Sequence, residues 1–177
     1  MDNLTEKLKK GDREAFEALI SEYQQKIYAL SFSLLGNHED ALDTVQEVFI
    51  KIYKNISSFN GDSALSTWIF QITKNACYDH LRKNKKFIEG EIPENMADAS
   101  PLPDEVFQKK EVRRAVREAL HSLPTKYKTV LLLREYEGLS YGEISKVLDI
   151  SEGTVKSRIS RAREYLLKEI SKNGELF

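Results

Sequence analysis

The sequence predicts an all-α protein, with two small helical domains on either side of a flexible acidic linker. Three observations carry this reading. Apolar residues on both sides of the middle of the chain recur at three- and four-residue steps, the period of a helix with one buried face. No stretch shows the strict alternation of a half-buried strand. Between the two periodic regions, residues 88–108 hold six Asp+Glu, no Lys or Arg, and three of the four prolines. The apolar residues there follow no period, so the segment cannot bury a face of its own. The domains are therefore placed at 1–87 and 109–177.

The elements follow in order. Phe16, Leu19, Ile20, Tyr23, Ile27, Leu30 and Leu34 form the stripe of a first helix. Asp12 is placed to cap its start and Gly36 to end it in a left-handed turn. A second helix over 38–55 aligns Ala41, Val45, Val48 and Ile52, with Ile56 just beyond. Turn-forming residues at 57–63 break the pattern. A third helix over 67–83 then buries Ile69, Ile72 and Ala76. After the linker, helices are expected at 104–122, 125–137, 140–148 and 152–172, punctuated by Pro124 and Gly138.

Composition excludes several classes of function. A single cysteine, Cys77, rules out a disulfide framework and a Cys-cluster zinc site. His38, His80 and His121 fall on separate predicted helices. Cys77 and His80 lie one turn apart, but with no further ligand nearby a core cysteine beside a surface histidine is the plainer reading. No glycine-rich phosphate loop is present. No catalytic residue, metal, cofactor or small-molecule substrate is expected. Apolar runs stop at four residues and the N-terminus has no signal-peptide character, so a cytoplasmic protein without membrane insertion is expected.

A net charge of −1 argues at first against nucleic acid as a partner. By segment the objection dissolves. Residues 1–87 balance 12 basic against 12 acidic residues, whereas 109–177 carry 15 against 10. The acid is concentrated in the linker.

The strongest local pattern is Leu139-Ser140-Tyr141-Gly142-Glu143-Ile144-Ser145-Lys146-Val147-Leu148, then Asp149-Ile150-Ser151, then a basic helix. A short helix, a tight connection and a longer helix read as a helix-turn-helix. Val155, Ile159, Ala162, Leu166 and Ile170 form its buried stripe. Thr154, Lys156, Ser157, Arg158, Ser160, Arg161 and Arg163 lie on or beside the opposite face. Small residues admit close approach to base edges and basic ones reach phosphates and purine acceptors, a combination suited to a major groove. A solvated charged helix is the competing reading, which the preceding helix and turn disfavour.

The first domain offers two further surfaces. Opposite the stripe of helix 38–55 lie Asp43, Gln46, Ile50, Tyr53 and Lys54, with Glu47 at the edge. Apolar groups among carboxylates and an amide suit a partner helix, although scattered apolar residues are also common on monomer surfaces. The segment Phe59, Asn60, Gly61, Asp62, Ser63 through Trp68 and Phe70 is rich in aromatics and amides. The following helix turns Gln71, Lys74, Asn75, Tyr78 and Arg82 away from its own core, with Lys83, Lys85 and Lys86 beyond. Together these could form a single-strand platform, while Trp68 and Phe70 also fit core packing.

This combination resembles the bacterial sigma factors, specifically the extracytoplasmic-function (ECF, group IV) subfamily of the sigma-70 family. Residues 40–49 are similar to the core-polymerase-binding helix of region 2, residues 59–75 to its −10 recognition segment, and residues 139–163 to region 4. An acidic linker in place of a third region matches the subfamily. The resemblance implies that Asp43, Gln46, Glu47 and Ile50 contact the β′ coiled coil of core RNA polymerase. It implies a flipped non-template base held by the 59–65 loop, with Asn75 behind it, and −35 duplex read by Lys156, Ser157, Arg158, Ser160 and Arg161. Further implied partners are the polymerase β flap, promoter DNA and an anti-sigma factor. The chain departs from common family residues at Asn60 and Ser160, both promoter-facing. The alternative is a stand-alone helix-turn-helix transcriptional regulator, which ordinarily carries a receiver or ligand-binding domain in front.

Overall fold

A computed structural model describes residues 3–83, 119–120 and 122–172. The acidic linker, Lys85, Lys86 and nearly all of the helix expected at 104–122 lie outside the described residues. Among those described, every regular element is helical. In chain order these are α1 (Asn3–Lys9), α2 (Arg13–Leu35), α3 (His38–Asn55), a 3₁₀ turn (Ile56–Ser58) and α4 (Leu65–Lys83). They continue with α5 (Thr125–Leu131), a π-helical turn (Leu132–Tyr136), α6 (Tyr141–Leu148) and α7 (Glu152–Lys172).

Local chemistry explains most boundaries. The Asp12 carboxylate accepts the Ala15 N–H at 3.0 Å, satisfying one of the donors left open at the start of α2. At the other end Gly36 adopts φ 68°, and its N–H reaches the Phe32 carbonyl at 2.9 Å. Asn37 starts α3 in the same way, accepting from the Asp40 N–H at 3.0 Å. Two elements depart from expectation. Helix α1 has only Thr5 and Leu8 buried, too little for a period to show in the sequence. The helix expected over 125–137 is α-helical only to Leu131 and then widens, so that the Glu137 N–H reaches back five residues to the Leu132 carbonyl at 3.1 Å.

Two apolar clusters hold the molecule. One joins α1, α2, α3 and α4 through Leu8, Leu19, Ile27, Val48, Ile52, Ile69 and Ala76. The other combines Ile144, Val147, Leu148, Val155, Ile159 and Ala162 of α6 and α7 with Val130 and Leu133. It also includes Leu30, Leu34, Phe70, Cys77 and Leu81 from α2 and α4. Helices α2 and α4 are thus buried on two sides, and α6 packs directly along α4. The far face of α4, which the sequence presents as open, is partly covered by the helix-turn-helix domain.

Candidate nucleic-acid interface

The second helix of the helix-turn-helix is built from its first. Ser140 and Glu143 close a capping box: the Ser140 Oγ accepts the Glu143 N–H at 3.3 Å, and the Glu143 carboxylate accepts the Ser140 N–H at 2.8 Å. These bonds from Ser140 hold the Glu143 carboxyl below the ordinary glutamate range. The turn places Asp149 at φ 57°, and the Ser145 hydroxyl donates to the Ile150 carbonyl at 2.6 Å. Ser151 then caps α7, accepting the Thr154 N–H at 3.2 Å. A Cβ at Gly142 would lie 3.1 Å from Glu152 Oε1, so the small residue lets the start of α7 approach α6.

On α7, Val155, Ile159 and Ala162 are buried, while Lys156, Ser157, Ser160 and Arg161 are exposed. Thr154 and Arg158 are half-buried at the edge. Arg163 is held at 2.6 Å by Glu135 of the π turn, so its guanidinium is already engaged within the domain. The Ser160 hydroxyl donates to Glu164 at 3.1 Å. Neither Glu135 nor Glu164 stood out as a candidate. Glu164 lies on the same outward face, but Glu135 comes from another element and has no periodic signal.

Helix α3 presents the second surface. Asp43 and Gln46 are exposed, Ile50 is 54% and Tyr53 62% exposed, and Leu42 adds to the apolar face. Glu47 is half-buried and paired with Lys51 at 2.8 Å. The Tyr53 ring leans edge-on against Phe16, with centroids 5.3 Å apart, so this apolar patch is supported from beneath.

The third surface divides in two. Phe59 is buried with its ring 5.2 Å from that of Trp68, and these two aromatics form the floor of the 59–65 loop. Above them Asn60, Gly61 and Asp62 are exposed. The Asn60 amide donates to the Asp62 carboxylate at 2.5 Å, and Gly61 takes φ 85°. Ser63 is half-buried and its hydroxyl reaches the Ala64 carbonyl.

Along α4, Asn75 and Arg82 are exposed, whereas Gln71, Lys74 and Tyr78 are half-buried toward α6 and α7. The Gln71 amide donates to the Lys146 carbonyl at 3.1 Å, and the Thr67 hydroxyl to Glu143 at 3.3 Å. Burial lowers the pKa of Lys74, opposed by the charge of Asp149. It raises that of the Tyr78 phenol, opposed by Arg158. Residues from both predicted DNA-reading faces therefore meet across one contact.

Among the described residues no cluster of His, Cys, Asp and Glu could hold a metal ion, and no helix is long and apolar enough to cross a membrane. Cys77 is buried and its thiol is pushed up to about 12 by desolvation, with the reactive thiolate suppressed accordingly. His80 is instead paired with Asp40 at 3.1 Å.

An exposed basic recognition helix, set beside a helical domain with an outward apolar face, defines a DNA-binding protein of the helix-turn-helix class that carries its own partner surface. The comparisons give the family. Sigma-70 region 2 matches residues 19–87, and Sigma-70, region 4, matches residues 113–166. The ECF RNA polymerase sigma factor SigW of Bacillus subtilis is 37% identical over 174 residues, covering 92% of each chain. The ECF RNA polymerase sigma-E factor of Escherichia coli K12 is 37% identical over 91% of this chain and 89% of its own. Among solved structures, the sigma factor RpoE in complex with the anti-sigma factor NepR from Bartonella quintana shares 26% identity. Its TM-score is 0.68, over 88% of this chain and 96% of that one. CnrH in complex with the cytosolic domain of CnrY shares the fold at 23% identity and TM-score 0.66, over 97% of each chain. The chain belongs to the ECF family of RNA polymerase sigma factors, whose function is to direct transcription initiation. The region 2 match in front of the helix-turn-helix sets aside a stand-alone regulator.

Proposed function

We propose that this chain binds core RNA polymerase through the outer face of α3, using Asp43, Gln46, Glu47 and Ile50 against the β′ coiled coil. Its region 4 domain, taken as 109–177, engages the β flap and reads the −35 element as duplex through α7. Its region 2 domain, taken as 1–87, reads the −10 element as a single strand through the 59–65 loop and α4, with residues 88–108 as the tether. The work is non-catalytic and cytoplasmic, alongside the polymerase. The observation that carries this reading is on α7, where Lys156, Ser157, Ser160 and Arg161 are exposed directly opposite buried Val155, Ile159 and Ala162. The helix is held by one face and offers the other. Both structural relatives named above were solved with a partner described as an anti-sigma factor or as a cytosolic domain, and an anti-sigma partner for this chain follows by analogy.

The test is transcription in vitro from genomic DNA by core polymerase with and without the chain, followed by sequencing of transcript starts. Starts sharing two spaced elements and dependent on the chain are expected. Tight, sequence-specific promoter binding by the chain alone, with no polymerase-dependent starts, would overturn this assignment of surfaces.

A further inference from the structure

The outward face of α7 carries hydroxyls whose hydrogen-bonding polarity is already fixed. Ser160, Arg161 and Glu164 follow Ser157 at three, four and seven residues, which stacks them on one side of the helix, and all four are exposed. The Ser157 hydroxyl donates to the Thr154 carbonyl at 3.0 Å, and the Ser160 hydroxyl donates to the Glu164 carboxylate at 3.1 Å. Neither direction is open to choice, because a carbonyl and a carboxylate only accept. Each serine has one hydroxyl proton, so both oxygens are left facing outward as acceptors. Glu164 keeps its charge for Ser160, since the adjoining cation, Arg163, is held by Glu135 at 2.6 Å. Arg161 beside them only donates.

We propose that the Ser160–Glu164 pair is an acceptor device that selects an amine-bearing base, adenine or cytosine, on the −35 strand facing α7. This selection rests on the assignment of α7 to −35 duplex made above, and adds to it the class of base taken at one step. In the major groove adenine N6 and cytosine N4 donate, whereas guanine O6 and thymine O4 accept. An oxygen whose proton is committed to Glu164 completes a bond with adenine or cytosine. Against guanine or thymine it sets two acceptors face to face, with a carboxylate charge behind them. A serine with a free hydroxyl has no such bias, since it donates or accepts as the base requires. Ser160 is therefore the contact, and Glu164 is the positioning residue that sets its polarity. Neighbouring residues of a helix rise by about 1.5 Å, less than one base step. The amine-bearing base thus lies at or next to the base pair that Arg161 reads.

Two measurements test this, and the first separates selection from affinity. Core polymerase carrying the full chain is given promoter duplexes with a randomised −35 block, and the bound fraction is sequenced for wild type, Ser160→Ala and Glu164→Ala. Both side chains are exposed, so both variants should keep the wild-type melting temperature. With the wild-type chain, one step of the block should favour adenine or cytosine over guanine and thymine by about tenfold. Both variants should flatten that preference to about twofold or less, while the remaining steps keep theirs. Glu164→Ala should also strengthen binding to all sequences together, because a carboxylate facing the phosphates is gone. A uniform gain with the preference retained at every step overturns the positioning role. A preference for guanine or thymine at the step that Ser160→Ala alters overturns the acceptor.

The second measurement changes the base. The selected adenine is replaced by purine, which lacks the N6 amine and keeps N7, or the selected cytosine by 2-pyrimidinone, which lacks the N4 amine. Wild-type binding should fall about fivefold. Ser160→Ala has no acceptor to lose and should bind the normal and amine-free duplexes within about twofold of each other. Equal effects on the two proteins overturn the contact. Failure of the wild-type chain to enrich any −35 block counts against the assignment of α7 and removes this selection with it. An enriched block whose every preference survives Ser160→Ala leaves that assignment in place and overturns the selection alone.

Discussion

Arg161 and Ile50 lie outside both buried clusters, so their roles can be tested with little disturbance of the core. Arg161 lies on the outward face of α7 next to buried Ala162, with no ion pair among the described residues fixing it in the manner of Arg163 and Glu135. Arg161→Ala should weaken binding to −35 duplex by about 1–3 kcal/mol if the guanidinium meets a base edge. Melting temperature should stay put, and filter binding across a panel of −35 sequences would show whether discrimination relaxes at one position. Arg163→Ala should do less to recognition and more to stability, because its partner Glu135 sits in the domain. Ile50 is 54% exposed on α3 and lies outside both buried clusters. Gln46→Ala with Ile50→Asp should impair capture by core polymerase while the helical circular dichroism is unchanged. Normal capture would remove this face from the interface.

At the scale of the element, legibility in the sequence tracks how local the determinants are. The bounds of α3 and α7 follow from caps one turn away and from a stripe of period 3.6, and both helices run over the residues expected. The π turn is not readable because its i→i+5 bonding reflects how Leu133 and Leu139 fit the domain core. There the Leu139 N–H bonds the Leu133 carbonyl at 3.0 Å, and Arg134 donates to the Leu139 carbonyl at 2.8 Å. The partial cover over the polar face of α4 is not readable for the same reason: Gln71 and Thr67 meet their partners across some 75 residues of sequence. The capping box of α6, Ser140-x-x-Glu143, depends on residues one turn apart and is a direct target. Ser140→Ala removes the acceptor for the Glu143 N–H and should cost about 1 kcal/mol. For a chain of this size that is a fall of roughly 2–4 °C in melting temperature. An unchanged melting temperature would mean that water replaces the serine at no cost.

At the scale of the whole molecule, the contact between the two halves contains a charge that the fold handles poorly. The Glu137 side chain is only 3% exposed, its Oε1 has no hydrogen-bond partner among the described residues, and Lys26 stands 4.0 Å away from Oε2. Desolvation raises the Glu137 carboxyl above the ordinary glutamate range, and Lys26 offsets only part of the rise. The sign follows from linkage. The folded chain binds this proton more tightly than the unfolded chain does, so the contribution of Glu137 to stability declines as pH rises. The decline begins in the ordinary glutamate range and ends once the raised pKa is passed; below that range the penalty disappears. Glu137→Gln keeps the shape and removes the charge. The variant should therefore gain melting temperature over wild type near neutral pH and lose that advantage on acidification through the ordinary glutamate range, as the native carboxyl takes up its proton. Glu143 works in the opposite sense, since its carboxyl is held low by Ser140 and its contribution fades on acidification. The comparison must therefore be made between variant and wild type at each pH, and not along one curve. Parallel curves for the two proteins would mean that water or Lys26 satisfies Glu137 in full, and that this buried carboxylate costs the fold nothing.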